Sequence, residues 1–179
     1  TWTDRGLVYQ RRTGQLTIAH ASSDDTLPDI PLPPSVRVQL APHGRAMAYV
    51  LDHTLWIADQ QENQAIAQAE QMWGFSWSPD GSYLAFVRSD GGPFPELWVW
   101  KAENGQSKRL AQGSLEHFGT PAWSSRGDML AFARHSTGNG PNAAGDIWLV
   151  DANGTGLRPL AQTPADEHSP TWSPTGRHI

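Results

Sequence analysis

Histidine is the side chain that most readily binds a metal or moves a proton near neutral pH, and this chain carries seven. His117 and His168 stand in segments that lead into short apolar runs, and His135 follows Arg134 where another run ends. No two histidines form a His-x-x-x-His pair, and none sits in a glutamate-bearing zinc motif. Cysteine is absent, which removes thiolate metal sites and disulfides. There is no Gly-x-Ser-x-Gly nucleophile elbow and no glycine loop that would cradle a phosphate. "DANGTG" at 151–156 begins like a calcium loop but lacks the later acidic ligands. Asn153-Gly154 is better read as a two-residue hairpin turn, and Asn153-Gly154-Thr155 is also a glycosylation sequon. These residues predict no catalytic centre, no metal and no cofactor.

Charge and composition narrow the partners. The formal charge is −5, and the 13 basic residues are scattered rather than gathered into the stripe that nucleic-acid binding requires. Apolar residues make up 38% and charged residues 17%, a globular balance. No apolar run approaches the roughly 18 residues of a membrane span. The expectation is a protein or peptide partner, no nucleic acid, and no membrane insertion in this segment.

The elements that hold these residues come from a repeat. "SWSPDGSYLAF", "AWSSRGDMLAF" and "TWSPTGRHI" share a Trp four residues before a Gly, with weaker copies in "QLAPHGRAMAY" and "TWTDRGLVY". The five turn glycines are Gly6, Gly44, Gly81, Gly127 and Gly176, at separations of 38, 37, 46 and 49 residues. Beyond three of them come an Ala-aromatic pair, then "LWIAD", "LWVWK" or "IWLVD", then an Ala-Gln pair at 67–68, 111–112 or 161–162. Each landmark is short, rich in β-branched and aromatic residues, and bounded by turn formers, so each reads as a strand. Four antiparallel strands at this period predict an all-β protein, a β-propeller. Glycine recurs in the turn because a Cβ in the left-handed region costs on the order of 1 kcal/mol.

The Trp-Ser-Pro-Asp-Gly turn followed by Leu-Ala-Phe resembles the TolB-like β-propeller repeat, over about residues 36–179 with 1–35 as a degenerate copy. The resemblance implies four-stranded blades at about 1–35, 36–72, 73–118 and 119–168, with 169–179 starting another. Because such propellers have six blades, it also implies an open arc of a larger ring. It further implies a non-catalytic module for protein interaction or sensing, periplasmic or extracellular. The alternative it leaves is the propeller portion of a prolyl-oligopeptidase-like serine peptidase whose hydrolase domain is absent from this sequence.

Position within the repeat sorts the remaining residues. Seven of nine tryptophans (2, 77, 123 and 172; 56, 98 and 148) recur at two repeat positions, which predicts packing between blades. Trp100 is expected on the same face as Trp98, and Trp73 to be an exposed aromatic. Length varies mainly between the second and third strands, in "RSDGGPFP" (88–95) and "RHSTGNGPNAAG" (134–145). Those loops share one rim with the segments leading into first strands. The predicted interaction face is therefore Arg88, Asp90, Phe94, His117, Phe118, Arg134, His135 and His168.

Overall fold

The computed structural model describes residues 2–3, 6–10, 16–20, 30, 32–33, 35–59, 61–92, 94–136 and 144–179. Every regular element among them is a β-strand, and every strand pairing is antiparallel. The chain divides into two compact units, Thr1–Gln68 and Ala69–Ile179.

In the first unit, β1 (Trp2–Thr3), β2 (Gly6–Gln10) and β3 (Leu16–His20) pair in sequence order. Gly6 opens β2 opposite Thr3, and the two residues between them lie outside the described ones. A second sheet follows from β4 (Val38–Leu40), β5 (Ala46–Leu51), β6 (Thr54–Asp59) and β7 (Asn63–Gln68), again in sequence order. Its core is Leu32, Met47, Tyr49 and Ala58. The Tyr49 ring stacks on Trp56 at 6.4 Å, and its hydroxyl exchanges hydrogen bonds with the Asn63 amide. Asp52 and His53 turn β5 into β6 with φ of 48° and 64°, the two left-handed residues of a tight hairpin.

The second unit repeats that sheet twice. β8 (Gln71–Trp77), β9 (Tyr83–Ser89), β10 (Glu96–Lys101) and β11 (Ser107–Gln112) form one meander. In the next sheet the first strand is split into β12 (Glu116–Phe118) and β13 (Ala122–Trp123), both paired to β14 (Met129–Ser136). β15 (Gly145–Asp151) and β16 (Arg158–Ala161) complete it. The sheets thus begin at residues 71 and 116, so 71–72 and 116–118, assigned from sequence to the preceding blades, open the first strands of the next ones. Residues 169–179 carry no strand, but Ser173 and His178 close the same turn as the earlier copies.

That turn is nearly identical in every described copy. Gly44, Gly81, Gly127 and Gly176 have φ of 71°, 71°, 71° and 68°, which only a residue without Cβ adopts freely. In the last three copies the serine three residues earlier does equal work, its place before Gly44 being taken by Ala41. Ser124 is 2% exposed, and its hydroxyl donates to Asp128 Oδ1 while accepting from the Asp128 and Met129 amides. Ser78 bonds likewise to Asp80 and the Tyr83 amide, and Ser173 accepts from the amides of Arg177 and His178. A second repeated device is a register shift just before the third-strand tryptophan, at Leu55/Trp56, Leu97/Trp98 and Ile147/Trp148.

Adjacent sheets of the second unit are joined by buried side chains and by backbone bonds. Val87, Leu97, Val99 and Leu110 pack with Phe118, Trp123, Leu130 and Phe132 in one core. The Trp123 indole donates to the Ser76 carbonyl at 2.9 Å, and Ser76 Oγ donates back to the Pro121 carbonyl at 2.7 Å. Trp172 repeats the bond on the Ala122 carbonyl at 3.0 Å. The backbones come so close that a Cβ on Gly74 would lie 2.9 Å from Thr120 Cα. Trp100, 5% exposed, meets Trp77 edge to face at 6.3 Å.

Ser124→Ala leaves two backbone amides and Asp128 without their buried partner, an expected loss of about 1–3 kcal/mol in denaturant unfolding. Arg126→Ala on the same turn, where the side chain is exposed, is expected to stay within about 0.5 kcal/mol of the parent.

Candidate interaction rim

Arg88 and Arg134 occupy the same repeat position, at the outer end of each second strand, and both lie over the tryptophan of the neighbouring third strand. The Arg88 guanidinium is 4.8 Å from the Trp98 ring centre and Arg134 is 4.1 Å from that of Trp148. Each also holds a carboxylate. Arg88 pairs with Glu96 at 3.1 Å and Asp90 at 3.5 Å; Arg134 grips both oxygens of Glu116 at 2.7–3.0 Å. Their side chains are only 23% and 16% exposed. Both arginines are thus braced against the sheet, with only a minor part of each side chain exposed.

Glu96 gathers three donors: Arg88, Arg109 at 2.7 Å and the Trp98 indole at 2.9 Å. Burial by itself would raise its pKa. The hydrogen bonds from Arg109 and Trp98 and the charge of Arg88 outweigh that and hold it below the usual carboxylate value. Above this brace, Gly91 and Gly92 reverse the chain with φ of 79° and 88°, and Ser89 Oγ donates to the Gly92 carbonyl. A Cβ on Gly91 would lie 2.6 Å from Glu70 Oε2. The loop presents Phe94, 49% exposed, and the Asp90 carboxylate, 60% exposed.

The histidines gather on the next sheet. His117 and His135 are register partners across β12 and β14. The His117 ring stacks on Trp73, centroids 5.0 Å apart and planes within 15°. Burial, and then the nearby His135, push its pKa below the ordinary histidine value. His135 Nδ1 lies 3.3 Å from Asp166 Oδ1, which also accepts the Gly145 amide at 2.8 Å. The Gly145 hydrogen bond, together with the charges of His135 and His168, keeps the exposed Asp166 below its usual pKa. Glu167 N donates to the Gly145 carbonyl, so residues 166–167 are pinned to the start of β15, with exposed His168 beside them. Among the described residues, no three His, Asp or Glu groups converge as metal ligands.

Two expectations from the sequence need correction. Phe118 is fully buried, edge to face with Phe132 at 5.1 Å, and is a core residue rather than part of the face. Trp73 is half-buried, its indole donates to the Phe118 carbonyl at 2.7 Å, and it packs against the core rather than standing exposed. The middle of the second elaborated loop, residues 137–143, lies outside the described residues. Sequence reasoning missed Glu96, Glu116 and Asp166. For the two glutamates a usable signal was an acid opening a strand, matched by an arginine near the end of a neighbouring one.

At the other end of the blades, where the first–second and third–fourth strand turns lie, Tyr83, Asp128, Met129, Asp151 and Asn153 line a cleft of about 510 Å³. Asp128 and Asp151 each already accept a hydroxyl, from Ser124 and Thr155. The cleft is therefore bounded by the same bonds that close the turns.

No family model matches the chain. Over 112 residues it is 30% identical to the Tol-Pal system protein TolB of Anaeromyxobacter dehalogenans strain 2CP-C, covering 62% of this chain and 24% of that protein. Over 108 residues it is 27% identical to the uncharacterized peptidase YuxL of Bacillus subtilis strain 168, covering 58% and 16%. The crystal structure of TolB from Acinetobacter baumannii superposes with a TM-score of 0.64 at 19% identity, over 95% of this chain and 44% of that one. The chain spans about a quarter of the length of the TolB relative it matches.

Glu96→Gln removes the charge that Arg88 and Arg109 face, an expected loss on the order of 1 kcal/mol at neutral pH. Because the folded-state pKa is lowered, the charge's contribution is complete above the ordinary value of 4.5 and fades as pH falls through the folded one. Urea unfolding of parent and variant from pH 7 to about pH 3 should show the gap closing on the acid side.

Proposed function

We propose that this TolB-like β-propeller segment is a docking module that works outside the cytoplasm, binding a protein or peptide partner through its rim and adding no catalytic step. The observation that supports it most directly is the construction of the rim. Arg88 and Arg134 are locked beneath it on Trp98 and Trp148, while Asp90, Phe94, His117 and His168 are left displayed above. An exposed aromatic held on a braced loop costs little conformational entropy to bury against a partner. His135, half-covered by Asp166, is a flanking member.

The TolB likeness suggests proteins of a Tol–Pal system as the first partners to test. The likeness to a peptidase supports a second reading, in which the same blades belong to a propeller that accompanies a hydrolase domain. In that case the rim would dock against the companion domain of the same polypeptide.

Purified Tol–Pal proteins from the source organism, flowed over the immobilised chain at pH 7.5, are expected to bind. Phe94→Ala and Asp90→Ala should weaken that binding about tenfold while leaving thermal unfolding unchanged. Phe118→Ala is expected instead to lower stability by about 3–5 kcal/mol, as a core truncation. Binding of normal strength by both rim variants would remove this face from the proposal.

A further inference from the structure

Two hairpin turns of the second unit carry the same dipeptide, Asn104-Gly105 between β10 and β11 and Asn153-Gly154 between β15 and β16. Asparagine followed by glycine is open to attack on its own side chain, because glycine has no Cβ to shield its backbone nitrogen. The two glycines are held alike. Both have positive φ, 67° and 85°, and each amide is bonded within its turn. Gly105 N donates to the Lys101 carbonyl at 2.9 Å and Gly154 N to the Asp151 carbonyl at 2.8 Å. Dipeptide and backbone alone would make the two sites equivalent. A third such pair, at 139–140, lies outside the described residues.

Their surroundings differ. A Cβ on Gly105 would meet nothing within 4 Å, and residues 102–109 are all exposed. Asn104 Oδ1 accepts one donor, the Gln106 amide at 3.1 Å. The other turn is seated on the preceding sheet. A Cβ on Gly154 would lie 3.4 Å from both Leu110 Cδ2 and Lys108 Cε, and Lys108 Nζ donates to the Asn153 carbonyl at 2.6 Å. Asn153 Oδ1 accepts two donors, the Thr155 amide at 2.9 Å and the Thr155 hydroxyl at 2.7 Å. Ring closure onto the glycine nitrogen has to turn the asparagine side chain away from its donors and swing its carbonyl. At Asn104 that movement breaks one bond. At Asn153 it breaks three, with Leu110 packed behind the glycine.

We propose that Asn104 is a site of spontaneous deamidation in the folded chain, and that the matching turn at Asn153 is protected by the sheet it rests on. The Gly105 nitrogen attacks Asn104 Cγ and gives its proton to a solvent base. The N–Cγ bond forms, the Cγ–Nδ2 bond breaks, and ammonia leaves with a proton from solvent. Water then opens the five-membered imide at either carbonyl, leaving aspartate or isoaspartate, so one water is taken up and one ammonia lost. The new carboxylate stands next to Glu103, whose side chain pairs with Lys101. This turn lies at the end of the blades opposite the loop that carries Asp90 and Phe94, so the assignment does not depend on what the rim binds. Conversion at Asn153 would differ in kind. Isoaspartate there would reroute the backbone through the side-chain carbon and turn the carbonyl that Lys108 holds into a free carboxylate, at a contact between two sheets.

The test incubates the purified chain in mildly alkaline buffer. Peptide mapping by mass spectrometry reads amide-to-acid conversion at each asparagine, and enzymatic methylation reads isoaspartate. In the folded chain Asn104 is expected to convert at least about tenfold faster than Asn153. In chain unfolded by guanidinium the two rates should come together, since the contacts that separate them are gone. Lys108→Ala and Thr155→Ala, both at exposed positions, should each speed Asn153 about fivefold and leave Asn104 as it was. Melting unchanged from the parent's, with a steady Asn104 rate, separates that effect from general loosening of the fold. Equal rates in the folded chain, a difference that persists after unfolding, or an Asn153 rate indifferent to either variant overturns the assignment. No partner takes part, so a failed Tol–Pal binding experiment neither mimics nor masks any of these results.

Discussion

The structure of the second unit hangs on one repeated bond, the indole N–H of the tryptophan four residues before a turn glycine donated to a backbone carbonyl of the sheet before it. Trp123 makes it to Ser76, and Trp172 makes it to Ala122. Carbonyls along a first strand have no ladder partner on their outer side, and a buried carbonyl without a donor is costly. Tryptophan satisfies one of them and fills the space between sheets with the same side chain. Once that contact is set, the flanking backbones must approach within the distance that Gly74 permits, and the side chains between them are committed to the core.

From that seam outward the blades become progressively more polar in a fixed order. The centre is Ala85 and Ala131, fully buried beside larger aromatics. Further out stand Trp98 and Trp148, half-buried, each capped by an arginine. Outside the arginine is its carboxylate, and beyond that the displayed loop. This layering lets charged groups sit close to an apolar interior, since each guanidinium is stacked and hydrogen-bonded at once. Sequence likeness runs both to a TolB and to a peptidase, so the fold alone assigns no task.

The repeat, the strand class and the turn glycines were legible because each is enforced by something that tolerates few residue types. A φ near 71° at Gly44, Gly81 and Gly127 leaves a mark in any copy. The serine of the same turn, present at 78, 124 and 173 but replaced by Ala41 before Gly44, left a weaker mark, since its burial is visible only when the strands close over it. Phe118 was misread because β12 has three residues, too few to establish which side of the alternation faces inward. Trp73 was misread for a related reason: the register shift between Met72 and Gly74 breaks the alternation at that residue and turns it toward the core. Arg88 and Arg134 looked like loop entrances, whereas they are strand residues whose partners come from other strands.

Gly145 and His135 face each other in register, and Asp166 fastens the glycine's amide from outside. The two ends of the segment they bracket are therefore clamped independently of what lies between them. For a segment closed in this way, the entropic cost of added length grows only logarithmically. The same holds at Arg88 and Glu96, which are paired in register and joined by an ion pair. Each corner is in effect a socket: its walls belong to the scaffold, and its insert is interchangeable. Such a scaffold could exchange one surface loop for another, in evolution or by deliberate grafting, without redesign of the blade beneath.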